Sequence, residues 1–361
     1  MTDLSDFVAL SLLPIWTWLA VAERLRAGDT PADILRQIAD SRWPDQPDRV
    51  PTIRAGAADV LARAGAHQIA PIAWSDASYP VALTTIVDPP PVLWTRGDVA
   101  ALSTPSVAIV GARAASPYGL SVAEHLAADL AGSGVTVVSG LARGVDSAAH
   151  RGALAGRGLT VAVLGCGADV VYPPEHGALA RDIERHGAIV SEFVPGTPPL
   201  PPFFPQRNRI ISGLSRAVVV IEAGEKSGSL ITARCALEQG RDVLAVPGNV
   251  LSGRNRGAHG LLRDGAKIVE TADDILEELG MPASGGTGSA PDAQSTADGQ
   301  VAKPDPILAC LTPGEPSDLD AIAERSGLSP ARLLPRLFEL EMRGVVARVG
   351  GGRFVRVDRT C

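Results

Sequence analysis

The segment Phe204–Ser215, FPQRNRIISGLS, places two guanidinium groups and an amide side by side. Arg207, Asn208 and Arg209 follow a proline-rich stretch and precede apolar residues that would anchor a helix. Guanidinium groups are planar forks that match phosphate oxygens, and the start of a helix offers unpaired backbone N–H groups. Because the three polar residues would open this helix, the segment is expected to hold a phosphate chain. Arginines that bridge surface carboxylates are the alternative.

Short apolar runs rich in β-branched residues alternate with helical segments from residue 107 onward. Such continuous runs are typical of strands buried on both faces, and therefore of an α/β protein with an extended Rossmann-like, doubly wound parallel sheet. The predicted strands are 107–110, 135–139, 159–164, 188–191, 217–221 and 242–246.

The loops that follow these strands carry glycine, arginine and serine. In doubly wound sheets, ligands bind beyond the carboxyl ends of the strands, so these loops are expected to share one edge. Their candidate phosphate-binding residues are Gly111, Arg113, Ser116, Ser139, Gly140, Arg143, Ser227, Gly228 and Ser229. We expect one cationic trough suited to the backbone of a polyanion. The first loop lacks the dinucleotide spacing G-x-G-x-x-G, so no cofactor is predicted.

Charge is distributed unevenly along the 361 residues. The chain has a formal net charge of −7, but residues 105–270 contain 16 basic and 14 acidic side chains. A locally basic groove fits this distribution, whereas a globally basic surface does not.

The four cysteines show no metal-ligand spacing, which fits a reducing cytoplasm. Phe7–Ala22 lacks the basic start of a signal peptide and is interrupted by Pro14, so it is interpreted as a buried helical segment.

Four regions follow from these patterns. Residues 1–70 are predicted to be helical, and residues 71–280 contain the sheet. Residues 281–303 are rich in Gly, Ser and Ala and are interpreted as a flexible linker. Residues 304–361 contain three helical segments and a hairpin, the arrangement of a winged helix.

Several side chains in the loops are candidates for acid–base or nucleophilic chemistry. They are Ser139, Asp146, His150, His176 and Glu192. Asp146 stands where a helix cap is expected, and His150 falls one turn into the same helix. A structural role is therefore predicted for each, with no catalytic residue, no metal site and no enzymatic activity.

The motifs together resemble those of one bacterial family, the DNA-processing protein A family (DprA, also called Smf). The resemblance covers residues ~75–280 in order and spacing. It rests on Gly111–Gly119, Ser139–His150, Gly165–Pro173, Ser191–Glu192, Phe204–Ser215, Ser227–Ala233 and Val246–Gly248. His259 stands where the family has asparagine. Outside this core the resemblance is architectural, with a SAM-like helical N-terminal domain and a C-terminal winged helix.

The resemblance implies a non-enzymatic protein that binds and protects single-stranded DNA. Family members help to load the RecA recombinase during natural transformation and homologous recombination, and they dimerise through the Rossmann-like domain. The DNA-gripping arginines of the family correspond to Arg113, Arg207 and Arg209, with Ser139, Arg143, Phe204 and Asn208 nearby. Phe204 would either stack on a base or pack in the core beside Phe203.

Two other functions remain open at this point. A nucleotide phosphoribohydrolase of the LOG type has a related core, but Thr232 stands where its catalytic glutamate would align. A transcriptional regulator would bind duplex DNA through the winged helix. Deletion of residues 281–361 would then abolish DNA binding, whereas a single-strand-binding protein would retain it.

Overall fold

The computed structural model contains a nine-stranded sheet between residues 70 and 268. Residues 3–46, 48–282, 305–312, 315–342, 345–350 and 352–356 are described. The strands are β1 (Ala70–Ala73), β2 (Val92–Gly97), β3 (Ser106–Gly111), β4 (Thr136–Ser139), β5 (Thr160–Leu164), β6 (Gly187–Ser191), β7 (Ala217–Ile221), β8 (Asp242–Ala245) and β9 (Lys267–Ile268).

The sheet is doubly wound. Its order is β1-β2-β6-β5-β4-β3-β7-β8-β9. The seven strands β3 to β9 pair in parallel, whereas β1 and β2 are antiparallel additions at one edge. The predicted strands and the predicted fold class are confirmed. The direction of chain progression across the sheet reverses between β3 and β7, and such a reversal creates a crevice at the carboxyl ends of the two strands.

Twelve α-helices are described between residues 3 and 278, together with the short 3-10 helices Ile15–Thr17, Val99–Leu102 and Pro174–His176. The α-helices are α1 (Asp3–Ser11), α2 (Trp18–Arg26), α3 (Pro31–Arg42), α4 (Arg49–Ala66), α5 (Val81–Thr84), α6 (Pro117–Gly132), α7 (Val145–Ala155), α8 (Gly177–Arg185), α9 (Phe203–Leu214), α10 (Ser229–Glu238), α11 (Arg256–Arg263) and α12 (Ala272–Glu278).

The helices of the N-terminal region share a hydrophobic core with the antiparallel edge of the sheet. Leu10 and Ile34 belong to the same buried cluster as Val92 and Trp94 of β2. The chain divides into two compact units. One unit consists of Met1–Ala114 and Ala123–Met281, and the other consists of Ala115–Val122 and Pro282–Cys361. The predicted boundary at residue 70 stays a prediction.

Among the described residues, no single helix is long and apolar enough to cross a membrane. The helices Leu4–Ser11 and Ile15–Arg26, bent by 116° relative to each other, meet that criterion only as a pair.

The C-terminal part has the predicted winged-helix composition. It consists of α13 (Pro306–Cys310), α14 (Leu319–Ser326), α15 (Pro330–Met342), β10 (Val346–Val349) and β11 (Arg353–Arg356). The two strands form an antiparallel hairpin. The three helices and the hairpin share one hydrophobic core, which includes Ile307, Ile322, Leu333 and Phe354. Residues 283–304, which include almost all of the predicted linker, lie outside the described residues.

Candidate nucleic-acid interface

A cleft of about 580 Å³ opens where β3 and β7 end, at the switch point of the sheet. It is formed by the loops after β3, β4 and β7 and by one side of α9. Its lining residues are Val110, Gly111, Ala112, Arg113, Ala142, Asp146, Phe204, Pro205, Arg207, Asn208, Ile211, Gly224, Lys226, Ser227, Gly228, Ser229, Ile231 and Thr232.

Arg207 lies at the floor of the cleft and is almost fully buried. Its Nη1 donates hydrogen bonds to the carbonyl oxygens of Gly140, at 2.8 Å, and of Val163. Burial lowers the pKa of Arg207 to about 10, an effect that the Asp146 carboxylate opposes. Burial likewise raises the pKa of Asp146, against the field of Arg207. Arg207 therefore contributes positive electrostatic potential to the cleft from its floor.

Gly140 is required by this arginine. A Cβ atom at Gly140 would lie 2.6 Å from Cζ of Arg207, far inside van der Waals contact. Gly140 N in turn donates to Asp146 Oδ2 at 3.1 Å. Its role in the structure is therefore to admit the Arg207 guanidinium and to orient Asp146.

Arg209 does not face the cleft, so the prediction that it shares one trough with Arg113 and Arg207 is wrong. Its Nη2 contacts Glu192 Oε2, and its Nε lies 3.3 Å from Asp88 Oδ2. Its guanidinium carbon also lies 5.8 Å from the centroid of the Trp18 ring. Arg209 is thus held in an internal ion-pair cluster on the other side of α9.

The RNR triplet does not open its helix as predicted. Helix α9 begins at Phe203, four residues before Arg207. Pro205 falls within the first turn, where its missing N–H leaves no intrahelical hydrogen bond unmade. Residues 207–209 therefore lie in the helix interior, and they contribute side chains rather than the unpaired N–H groups of a helix start.

An aromatic and cationic strip lies at the mouth of the cleft. The guanidinium carbon of Arg113 is 5.5 Å from the centroid of the Phe204 ring. The ring of Tyr172 packs against Phe204 with a centroid distance of 5.5 Å. Phe203, by contrast, packs against Phe193 with a centroid distance of 4.5 Å. Phe204 is therefore the aromatic residue of the pair that reaches the cleft.

The β7 loop, defined here as residues 222–229 and including the first residue of α10, forms the opposite wall. Hydroxyl groups of Ser227 and Ser229 are hydrogen-bonded at 2.7 Å, and the Asn208 amide donates to Gly228 O at 3.3 Å. Ser229 begins α10, so the positive end of that helix lies at the cleft. Exposed Lys226 adds a cation that the sequence analysis missed, because a lone lysine in a loop forms no recognisable pattern.

Other predicted site residues have internal partners. Ser139 Oγ donates to Ile109 O at 2.6 Å and is fully buried, so it serves the sheet. Arg143 Nε contacts Glu175 Oε1 at 2.5 Å, beside a small cavity that Tyr172 and Phe204 also line. Their DNA contacts stay predictions.

Gly111 and Ser116 also have local structural roles. A Cβ atom at Gly111 would lie 2.6 Å from Cγ2 of Val145, so only glycine fits there. Ser116 belongs to the second unit, where its hydroxyl accepts a hydrogen bond from Gly119 N at the start of α6. Its DNA contact stays a prediction.

The candidate acid–base residues are scattered and mostly buried. His150 Nδ1 is 2.7 Å from Thr160 Oγ1, and burial lowers the pKa of His150 to about 3. His176 Nδ1 contacts Leu141 O at 2.9 Å. Asp146 lies within the first turn of α7, whose cap position is Gly144, rather than at the cap as predicted. Across the described ranges, no group of three His, Cys, Asp or Glu side chains could hold a metal ion.

The fold and the cleft define a Rossmann-like protein with a cleft lined by Arg113, Lys226 and Arg207 at its switch point and with a C-terminal winged helix. The chain belongs to the DNA recombination-mediator protein A family, whose model matches residues 70–280. A model of the DprA winged helix domain matches residues 290–352. It is therefore a member of a family of DNA-processing proteins.

Relatives from several bacteria resemble the chain over most of its length. Protein Smf of Escherichia coli is 44% identical over 289 residues, which are 78% of this chain and 76% of that protein. The X-ray structure of DNA processing protein A from Streptococcus pneumoniae matches with a TM-score of 0.66 and 36% identity, over 77% of this chain and 98% of that one. A structure of the Helicobacter pylori protein, described for its single-stranded DNA binding mode, matches with a TM-score of 0.54 and 31% identity, over 59% and 97%.

Proposed function

We propose that this protein binds single-stranded DNA in the cleft between β3 and β7. The observation that carries the proposal is the stacking of the Arg113 guanidinium over the Phe204 ring at the mouth of a cleft walled by the start of α10. A cation next to an aromatic face recognises a phosphate and an adjoining base together. Neither interaction requires a particular base, so binding would be independent of sequence.

The preference for single strands follows from the stacking contact. In a duplex both faces of each base are covered by neighbouring base pairs, so Phe204 would find no free face. The cations available to the phosphates are Arg113 and Lys226, which are exposed, and Arg207 from below. Binding is therefore expected to weaken steeply as the salt concentration rises.

The same proposal includes a cytoplasmic role as a recombination mediator. We infer that the protein works as a homodimer and passes bound DNA to the RecA recombinase in natural transformation. Membership of the recombination-mediator family supports this inference. The single-stranded DNA binding described for the Helicobacter pylori relative supports the DNA-binding step.

We propose binding without catalysis. Thr232, which is buried in the cleft wall, occupies the position where a LOG-type hydrolase would need a glutamate. Asp146 is the acidic side chain among the lining residues, and burial favours its protonated form. Incubation with nucleoside monophosphates should release no free base; clear turnover would favour the hydrolase instead.

The winged helix supports a regulator less well. On α15, Arg336 is held by Asp305, at 2.7 Å, and by Glu339. Exposed Leu334 and Phe338 occupy the same helix. Exposed Arg332 shares α15 with Glu339 and Glu341, so a helix with one of its two arginines neutralised and with exposed apolar side chains is less suited to a DNA groove, where phosphate contacts dominate affinity.

Fluorescence anisotropy with labelled oligonucleotides tests the proposal. Wild-type protein should bind single strands more tightly than duplex of the same sequence. The double variant R113A/K226A should bind at least about 30-fold more weakly, which corresponds to ~2 kcal/mol. The matched control R36A removes an exposed arginine from α3, remote from the cleft lining, and should bind like wild type. Equal affinity of the double variant and wild type would refute the proposed cleft.

A further inference from the structure

The loop between β8 and α11 presents two large apolar side chains to solvent. Val250 is 76% exposed and Leu251 is 92% exposed. Residues 246–255, called here the β8 loop, contain no acidic side chain. Scattered single apolar side chains are common on protein surfaces, but two adjacent ones at a loop tip beside a proposed ligand site are unusual.

The tip of the β8 loop has a defined turn. The Asn249 side-chain oxygen accepts a hydrogen bond from Leu251 N at 2.8 Å, and Ser252 Oγ donates to Asn249 O at 3.1 Å. Gly253 has a φ of +68°, a conformation that glycine adopts without strain. The turn leaves the side chains of Val250 and Leu251 exposed to solvent.

Both ends of the loop are anchored next to the cleft. His259 Nε2 lies 3.1 Å from Gly248 O at the first end. At the second end, Gly257 N donates to Ala223 O at 2.8 Å, one residue before cleft-lining Gly224. Arg254 Nη1 donates to Ala114 O at 3.0 Å, which ties the loop to the residue after Arg113.

The charge around the loop favours a polyanion. Exposed Arg254 and Arg256 follow the tip, and Lys226 stands in the neighbouring β7 loop. Arg254 and Arg256 form long ion pairs with Glu222 and Glu225, at 3.9 and 4.0 Å, so the two cations are partly balanced by carboxylates. Because β8 is the next strand after β7, the β8 loop continues the cationic edge by one strand spacing, about 5 Å.

We propose that Val250 and Leu251 form an apolar wedge that inserts between bases of the single strand bound in the cleft. The proposal rests on the proposed function and extends it. Apolar side chains inserted at a base step unstack it, and flanking cations hold the adjoining phosphates. The strand would then run from Phe204 past Arg113 and Lys226 to the β8 loop, with its bases kept unstacked and unpaired.

An oligonucleotide with 2-aminopurine at successive positions tests the wedge, since this base fluoresces more strongly when it is unstacked. Wild-type protein should raise the fluorescence at one or two positions. The variant V250S/L251S should lose most of this rise and bind about tenfold more weakly, which corresponds to about 1.4 kcal/mol. The variant L251W, which replaces leucine by a larger aromatic side chain that can stack on a base, should bind at least as tightly as wild type.

The matched control is V81S. Val81 is 78% exposed. The carbonyl oxygen of the neighbouring Ala82 accepts a hydrogen bond from Arg241, which directly precedes β8. Val81 therefore lies near the amino end of β8, whereas the cleft lies at the carboxyl ends of the strands. V81S should leave both signals unchanged. Loss of binding in R113A/K226A with wild-type fluorescence and affinity in V250S/L251S would overturn the wedge and leave the cleft intact. A wild-type protein that binds no single strand would overturn both. A change only in the oligomeric mass of V250S/L251S would identify the tip as a contact between copies and overturn the wedge.

Discussion

Arg207 and Arg209 lie on opposite sides of α9, although a single residue separates them in the sequence. Arg207 donates to carbonyl oxygens beneath the cleft, whereas Arg209 is ion-paired with Glu192 and Asp88. Residues two apart on an α-helix are separated by about 200° around its axis. Arg207 therefore lies at the floor of the cleft, whereas Arg209 anchors the opposite side of α9 to Glu192 and Asp88.

Removal of Arg207 should destabilise the fold as well as weaken binding. R207A would leave the buried Asp146 carboxyl without its nearby cation and the Gly140 carbonyl without a donor. Buried polar groups left without a hydrogen-bond partner cost about 1–3 kcal/mol each, so urea unfolding should show a loss of about 3 kcal/mol. R113A, which removes an exposed side chain, should change the unfolding free energy by less than about 0.5 kcal/mol. Similar stabilities of the two variants would contradict the internal role of Arg207.

Glu192 should make stability fall between about pH 4.5 and pH 7. Burial raises the pKa of this carboxyl from 4.5 to about 7, against the effect of Arg209. The folded state therefore holds more protons than the unfolded state within this window, so folding becomes less favourable as pH rises through it. The contribution of Glu192 should be complete below pH 4.5 and lost above pH 7.

The comparison with E192Q isolates this effect. The stability of wild type relative to E192Q should decrease by about 3 kcal/mol between pH 4 and pH 8. A difference measurement is needed because His150, whose pKa is lowered to about 3, acts with the opposite sign below pH 6.5. A stability difference that is constant over this range would show that the pKa of Glu192 is the same in the folded and unfolded states.

Two glycines from the predicted site should respond differently to alanine. G140A places a Cβ atom against the Arg207 guanidinium and should lower both stability and DNA affinity. At Gly228, φ is −63° and no heavy atom would lie within 4 Å of a new Cβ atom. G228A should therefore cost less than about 1 kcal/mol, the range of a cap substitution. Thermal unfolding of both variants checks the order, and equal melting temperatures would contradict it.

The salt dependence of binding should report the phosphate contacts individually. Each phosphate neutralised on a single strand contributes about 0.7 to the slope of log affinity against log salt concentration. R113A and K226A should each reduce the slope by about that amount, and the double variant by about twice as much. F204A should weaken binding without changing the slope, because it removes a stacking contact and no charge. An unchanged slope in R113A would remove Arg113 from the interface.

The sheet could be predicted from the sequence because its strands are buried on both faces. Runs such as AVVVI at Ala217–Ile221 are long and continuously apolar, and the observed strand has these bounds. The antiparallel strand β2 is absent from the six predicted strands. It begins directly after the proline run 89–91, which obscures its apolar core.

The cleft could be predicted only in part. The doubly wound topology brings Arg113, Phe204 and the serines of the β7 loop to one edge, as expected. The direction of each arginine on α9 depends on where the helix begins and on buried partners that are distant in sequence. Glu192 is 17 residues from Arg209, and the Gly140 carbonyl is 67 residues from Arg207. A linear pattern of charges contains no information about such pairs.

Photo-crosslinking tests the central claim most directly. Single-stranded oligonucleotides that contain 5-iododeoxyuridine should be crosslinked to the full chain, and the attached peptides identified by mass spectrometry. Crosslinks are expected at Phe204, which lines the cleft, or at Tyr172, which packs against Phe204, and should disappear in R113A/K226A. Crosslinks confined to the winged helix, residues 305–356, would contradict the assignment of single-stranded DNA to the switch-point cleft.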